Sequence, residues 1–321
     1  MLKDGEIGMR GRYAPSPTGH LHLGNARTAL VAYWQTKRQN GTFVMRVEDL
    51  DSARSRPEMV AANLDELRWL GLAWDEGPDV GGPFAPYVQS ERHAFYQTAL
   101  AKLETQNKLF ECYLSRKDLR EVASAPHGGM PGYGNLERKL NKQVKEQKRL
   151  EGKTPSLRFR TDEANVSFTD LLQGEQTFQT GDFVVKRADG EWAYQFAVVV
   201  DDIAMNITEV VRGADLLEST AAQILLYEAL GAEPPTFLHV PLLLDKTGER
   251  MAKRKGSLTL TSLENQGVKP ERVVGLLAHT LGLTPEPAEM TLEEGFELYR
   301  LASLSPFPFS LSPILLSWLT P

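Results

Sequence analysis

The stretch Arg12-Tyr13-Ala14-Pro15-Ser16-Pro17-Thr18-Gly19-His20-Leu21-His22-Leu23-Gly24-Asn25-Ala26-Arg27 constrains the fold more than any other part of the chain. Pro15 and Pro17 stop any regular element before Gly19. After Gly24 the run 26–39 is unbroken, and its Ala29, Leu30, Ala32, Tyr33 and Trp34 predict a helix. A glycine-containing turn that opens onto a helix N-terminus presents backbone N–H groups and the positive end of the dipole to an anion. The turn is not a Walker loop, since no G-x-x-x-x-G-K-[ST] is present, nor a G-x-G-x-x-G dinucleotide turn. It carries instead two histidines, His20 and His22, just ahead of Gly24. Taken alone, the same residues read equally as a Pro/Gly-rich surface loop.

Further along, residues 42–51 alternate and are rich in β-branched side chains, which predicts a strand ending in the acidic cluster Glu48, Asp49 and Asp51. Ser55-Arg56-Pro57-Glu58 reads as a capping box with proline in the first turn. The helix it starts is expected to bury Met59, Leu64, Leu67 and Leu70 and to end at Gly71. A Gly- and Pro-rich loop, 77–86, leads to Ser90, the expected cap of a helix carrying Phe95, Leu100 and Leu103. Strands and helices in this alternation predict a parallel, doubly wound α/β sheet, with ligands at the carboxyl ends of its strands, where residues 12–16 and Glu48 would lie.

From Phe110 to Gly181 the character changes. Residues 125–134 form a loop composition, and between Glu137 and Arg160 nine Lys or Arg stand against three Glu in a helical pattern. Such a run is either a solvated helix face or a patch for phosphates. Residues 182–187 return to strand composition, and 192–202 are a near-continuous apolar run suited to a strand or a helix covered on both faces. Residues 210–215 read as a strand edge and turn; Ser219 or Thr220 caps a helix through Ile224, Leu225 and Tyr227; 237–244 is another strand. Between Gly248 and Gly256 lie four basic residues, Arg250, Lys253, Arg254 and Lys255, and beyond them the pattern is helical to about Arg300.

At 321 residues the chain has room for about two or three domains. One cysteine, Cys112, excludes an internal disulfide framework and fits a reducing, cytoplasmic location. Residues 1–6 hold no apolar signal segment, and no run approaches the ~20 residues that span a bilayer, so no membrane partner is expected. The net charge of −6 does not suggest a nucleic-acid partner, but binding follows local clusters of basic residues, not the mean.

His22-Leu23-Gly24-Asn25 resembles the first signature of class I aminoacyl-tRNA synthetases, and Arg250-Met251-Ala252-Lys253-Arg254 resembles the second. Arg12-Tyr13-Ala14-Pro15-Ser16-Pro17-Thr18-Gly19 is similar to the form that glutamyl members carry, with Asn25 where many class I enzymes have histidine. The resemblance spans about residues 10–260 and implies a Rossmann-like doubly wound parallel sheet with an inserted α+β acceptor-type subdomain and a short C-terminal helical region. The expected division is 8–109 and 182–249 for the two halves of the nucleotide-binding domain, 110–181 for the insertion, and 250–321 for the second-signature loop and helical region. It also implies ATP, with Mg2+, and L-glutamate as ligands. His20, His22, Gly24, Asn25 and Lys253 match ATP-binding positions, with His22 and Lys253 catalytic. Arg12, Tyr13, Ala14, Pro15, Ser16, Glu48, Tyr194 and Arg212 match glutamate-binding positions. Among them Arg12 and Arg212 would hold the two carboxylates, and Glu48 the α-amino group.

Residues 258–321 are too few for the helical anticodon-binding domain of full-length glutamyl enzymes. Residues 197–202 and 212–217 look like a truncated glutamyl paralogue that activates glutamate without tRNA and esterifies it to queuosine in the anticodon of tRNA(Asp). Ordinary glutamyl enzymes tend to have Asn at the position of Val198. On that resemblance the basic helix would contact the anticodon stem-loop of queuosine-bearing tRNA(Asp), and a monomer is expected. Several members hold zinc in the insertion through a Cys-x-Cys pair; here Cys112-Tyr113-Leu114 keeps one thiol, and Cys112, His127 and Tyr133 are a poor donor set, so no zinc is expected. Two other readings stay open: a glutamyl-tRNA synthetase catalytic fragment charging an acceptor end, and a non-catalytic regulatory paralogue, which would have no need of Lys253.

Overall fold

The computed structural model describes residues 8–114, 118, 135–245, 248–249 and 258–320. The chain opens with β1 (Arg10–Tyr13), α1 (Leu23–Arg38), β2 (Thr42–Met45), α2 (Pro57–Trp69) and α3 (His93–Thr105). It continues through β3 (Leu109–Cys112), α4 (Asn135–Leu150), β4 (Ser156–Phe159), β5 (Asn165–Asp170), β6 (Gly174–Gln179) and β7 (Phe183–Lys186). Next come α5 (Tyr194–Ala204), β8 (Glu209–Gly213), α6 (Ser219–Ala229), β9 (Thr236–Val240) and β10 (Leu243–Leu244). The last part holds α7 (Leu260–Asn265), α8 (Pro270–Thr280), α9 (Leu292–Leu298), β11 (Phe309–Ser310) and α10 (Pro313–Ser317).

Six strands form the main sheet in the order β2-β1-β8-β9-β5-β6, the first five parallel and β6 antiparallel to β5. Successive side chains of a strand point to opposite faces, and the sheet uses this to build two cores. Phe43, Met45, Val211, Leu238 and Val240 join one core with α1, α2, α8 and α9. Val44, Val210 and Phe237 join the other with α3, α5 and α6. The chain runs from β1 outward to β2, then returns to place β8 on the other side of β1, so strand order reverses between β1 and β8. Ligands of such sheets bind in the crevice at that reversal.

Several local expectations are corrected. Of the two alternatives left open for the apolar run 192–202, the helix is the one formed, from Tyr194, with Phe196 to Val200 buried between the sheet and α3. The strand expected over 210–215 is interior, paired with both β1 and β9. Ser55 does not cap α2: Arg56 stands at the cap without a side-chain bond, since the Arg54 and Ser55 N–H groups both turn back to the Asp51 carbonyl. Met59 is only half-buried. Ser90 lies in a 3-10 turn and donates its N–H (2.8 Å) and hydroxyl (2.6 Å) to the Asp49 carboxylate, while Phe95 faces solvent and Tyr96 takes the core position. Glu218 precedes α6, with no side-chain cap, and the Thr220 hydroxyl is turned inward. The 237–244 strand is broken at Pro241 into β9 and β10.

The stretch 110–181 divides between two sheets. β3, β4 and β7 make a three-stranded antiparallel sheet, whereas the β5–β6 hairpin extends the main sheet beyond β9. Helix α4 is tied to the small sheet. Arg138 donates to Asp182 (2.5 and 2.6 Å), Asn141 donates to the Glu111 carbonyl (2.8 Å), and Lys145 pairs with Glu111. Lys139 and Lys142 are exposed and have no carboxylate within ion-pair distance among the described residues. No described helix is long and apolar enough to cross a membrane.

Candidate active site

Arg12 on β1 and Arg212 on β8 come from the two strands that flank the reversal, and both are buried. Arg12 stands in register with Val210, so both guanidinium groups rise on the same face of the sheet, over α5. Past the end of β2 the chain stays parallel to β1: the Arg46 N–H donates to the Tyr13 carbonyl (3.1 Å) and the Glu48 N–H to that of Pro15 (3.0 Å). That pairing holds Glu48 beside the Pro-rich turn. A cavity of about 610 Å³ opens here, with Arg12, Ser16, His22, Glu48, Tyr194 and Arg212 in its wall. Tyr13, Ala14, Pro15, His20, Gly24 and Asn25 line it as well, so the structure brings the sequence-predicted residues together apart from Lys253. Lys253 lies outside the described residues, as do His127 and Tyr133; Cys112 is buried on β3.

Beneath the cavity is a charge network that sequence reasoning missed. Arg46, fully buried, donates to Asp202 (2.7 Å) and to Glu48 (3.1 Å), and Arg12 donates to the same Asp202 oxygen (3.3 Å) and to the Val211 carbonyl (3.2 Å). Burial alone would raise the Asp202 pKa, but Arg12 and Arg46 hold it below the usual range. At Glu48 the balance goes the other way: burial outweighs Arg46 and Arg12 and pushes its carboxyl up. Adjacent on α5, Asp201 also stands within ion-pair distance of Arg46 (3.8 Å) and accepts from Arg92 (2.6 Å), Gln89 (2.7 Å) and Tyr96 (2.9 Å). Neither Asp201 nor Asp202 lines the cavity.

Arg212 differs from Arg12 and Arg46 in its partners. Its Nε donates to His239 (3.0 Å), one Nη to Gln223 (2.7 Å) and the other to Thr220 (2.8 Å), all neutral oxygens or nitrogens. No carboxylate lies within ion-pair distance of it among the described residues. Burial pulls its pKa down, as expected of a cation without a counter-ion.

The turn itself is fixed from within. His22 caps α1: its Nδ1 accepts the Gly24 N–H (3.1 Å), and Asn25 accepts the His22 N–H (3.2 Å), a reciprocal capping box. Because Nδ1 accepts, the neutral ring carries its proton on Nε2. On the far side, Glu66 of α2 accepts from the Leu21 N–H (2.8 Å), His20 Nδ1 (2.9 Å) and the Thr261 N–H (3.2 Å). The Leu260 N–H also donates to the Leu21 carbonyl (2.9 Å), so the residues that follow the basic loop are anchored to the first turn.

The family model described as tRNA synthetases class I (E and Q), catalytic domain, matches residues 8–302. The chain belongs to that family. A class I synthetase of this family is a ligase, and its parallel sheet with the cavity at the β1/β8 reversal is the class I catalytic fold. The chain is 51% identical over 300 residues to the glutamyl-Q tRNA(Asp) synthetase of Symbiobacterium thermophilum, covering 92% of this chain and 93% of that protein. It is 44% identical to the glutamate–tRNA ligase of Heliobacterium modesticaldum, covering 86% of this chain and 57% of that one. The crystal structure of a glutamate tRNA ligase from Elizabethkingia meningosepticum, in complex with its amino acid, superposes with a TM-score of 0.80 at 26% identity, covering 98% of this chain and 69% of that chain.

Proposed function

We propose that the protein activates L-glutamate with ATP in the absence of tRNA and then transfers the glutamyl group to queuosine at the wobble position of tRNA(Asp), acting as a monomer. One observation carries the choice of substrate: the cavity sets two buried arginines and a buried carboxylate against a ligand with two carboxylates and one ammonium. Arg212, without a carboxylate of its own, takes the side-chain carboxylate; Arg12 holds the other, and Glu48 receives the ammonium. A glutamate carboxylate oxygen attacks the α-phosphorus of ATP, the bond from that phosphorus to the bridging oxygen breaks, and pyrophosphate leaves. The protein's share of this step is positioning and the neutralising of charge on phosphate oxygens. The N-terminus of α1, with His20, His22, Gly24 and Asn25, is assigned to ATP, and Lys253 to the developing charge. Among the described residues no group of three His, Cys, Asp or Glu side chains is placed to hold a metal ion, and Mg2+ is assigned to the phosphates of ATP.

The choice of acceptor is supported by the 51% identity to a glutamyl-Q tRNA(Asp) synthetase over 93% of its length. Helix α4, with Lys139 and Lys142 exposed, is assigned to the phosphates of the anticodon stem-loop. The test is transfer of labelled glutamate to tRNA(Asp) with and without queuosine, beside tRNA(Glu). Label on queuosine-bearing tRNA(Asp) alone is expected; label on tRNA(Glu) would make the protein an acceptor-charging enzyme instead. Lys253→Ala should abolish adenylate formation and leave glutamate binding largely intact, and equal activity in that variant would undo the role given to Lys253.

A further inference from the structure

Arg212 is aimed by an imidazole, and the imidazole is in turn held by a carboxylate that does not touch the arginine. His239 on β9 and Asp170 at the end of β5 are both fully buried, with Nδ1 2.6 Å from the Asp170 Oδ2. The other oxygen of Asp170 accepts backbone N–H groups from Gln173 (2.8 Å), Leu172 (3.0 Å) and His239 itself (3.3 Å), so the carboxylate has one orientation. On its far side the ring sets Nε2 3.0 Å from the Arg212 Nε and 3.2 Å from the Thr220 hydroxyl. A guanidinium can only donate, so Nε2 is bare and Nδ1 carries the proton. The opposite tautomer would set N–H against N–H at Arg212. A carboxylate in direct contact would orient the guanidinium equally well but would neutralise it; a neutral ring orients it and leaves its charge for the ligand.

We propose that Asp170 and His239 are positioning residues for glutamate recognition: Asp170 locks the imidazole of His239 as the Nδ1–H tautomer, so that Nε2 aims Arg212 without cancelling its charge. The proposal rests on Arg212 as the site of the glutamate side-chain carboxylate. Asp170→Asn tests it with almost no change of shape. The amide oxygen can keep the backbone bonds, while its NH2 must donate to Nδ1 and so drive the ring to the Nε2–H form.

Two readouts are taken on the full chain. Long-range 1H–15N correlation of the imidazole nitrogens, with His239 assigned by its loss in His239→Gln, is expected to show Nδ1–H in the wild type and Nε2–H in Asp170→Asn. ATP–pyrophosphate exchange is expected to show KM for glutamate raised roughly ten- to hundredfold in Asp170→Asn, with KM for ATP within about twofold and preference for glutamate over glutamine reduced. His239→Gln, which keeps an acceptor, should retain more of that preference than His239→Leu. An Nε2–H ring in the wild type, or an unchanged glutamate KM in Asp170→Asn, would overturn the proposal. So would equal losses for glutamate and ATP together with a lowered thermal midpoint, the mark of a merely structural carboxylate. Failure of the wild type to exchange pyrophosphate with glutamate would remove the proposed substrate instead, and the tautomer would still decide whether the relay exists.

Discussion

At the residue scale, the site separates cations that are neutralised by the protein from one that is not. Arg12 and Arg46 share Asp202, whereas Arg212 is met by Gln223, Thr220 and His239. A carboxylate placed at residue 223 would neutralise the guanidinium with little change of shape. Gln223→Glu is therefore expected to raise KM for glutamate roughly tenfold or more in pyrophosphate exchange, with a smaller effect on glutamine. Glu48 gives a pH-dependent counterpart. Burial raises its pKa in the folded chain, so the folded state holds this proton more tightly than the unfolded one. The ionised carboxylate therefore subtracts from stability above the raised pKa, and the loss fades as pH falls through it. Glu48→Gln should raise the thermal midpoint at pH 8, the gap from wild type closing as pH is lowered, while weakening glutamate binding. A midpoint gap that is flat with pH would contradict the role of burial at Glu48.

At the scale of elements, the decisive join is between the Pro-rich turn and α1. His22 and Asn25 satisfy each other's end of the helix, and Gly24 leaves room for the ring: a Cβ there would sit 3.1 Å from the imidazole. Asn25→Ala removes the acceptor for the His22 N–H and is expected to cost about 1 kcal/mol, read as a lower urea midpoint at unchanged slope. The Asn25 found where many class I members carry histidine thus has a local task in this chain. Glu66 makes the second join: from α2 it gathers Leu21, His20 and Thr261, so three elements distant in sequence meet on one buried carboxylate.

At the scale of the whole molecule, the C-terminal helices complete one of the two cores. Trp34 of α1 is fully buried and donates its indole N–H to the Leu292 carbonyl (3.0 Å). Arg27 donates to the Pro241 carbonyl and to the Thr280 carbonyl (2.9 Å), with burial pushing its pKa down to about 10. A close approach between α9 and α1 is at Gly295, where a Cβ would lie 2.5 Å from the Trp34 ring. Gly295→Ala should therefore cost roughly 1–3 kcal/mol of stability, with its largest effect on Trp34 fluorescence during unfolding, because the indole cannot move aside inside a packed core. An alanine variant as stable as wild type would mean that α9 shifts freely on α1.

The parts of this protein that were legible in the sequence are those written in consecutive residues. The turn 12–25, the amphipathic helices and the alternating strands each carry their signal within a short window, since turn geometry and side-chain periodicity are local. Arg12, Glu48 and Arg212 were picked out by the resemblance to glutamyl enzymes, and all three line the cavity. Their surroundings were not picked out. Asp170, His239, Gln223 and Thr220 come from β5, β9 and α6, and nothing in any one stretch says that they converge on one guanidinium. The same holds for Ser55, Ser90 and Thr220, which looked like caps but lost that role to a backbone turn or to partners elsewhere in the chain. Which charges are neutralised, which stay bare, and which strand is interior depend on the order in which strands enter the sheet. That order is set by the packing of both faces at once, and only the tertiary structure decides it.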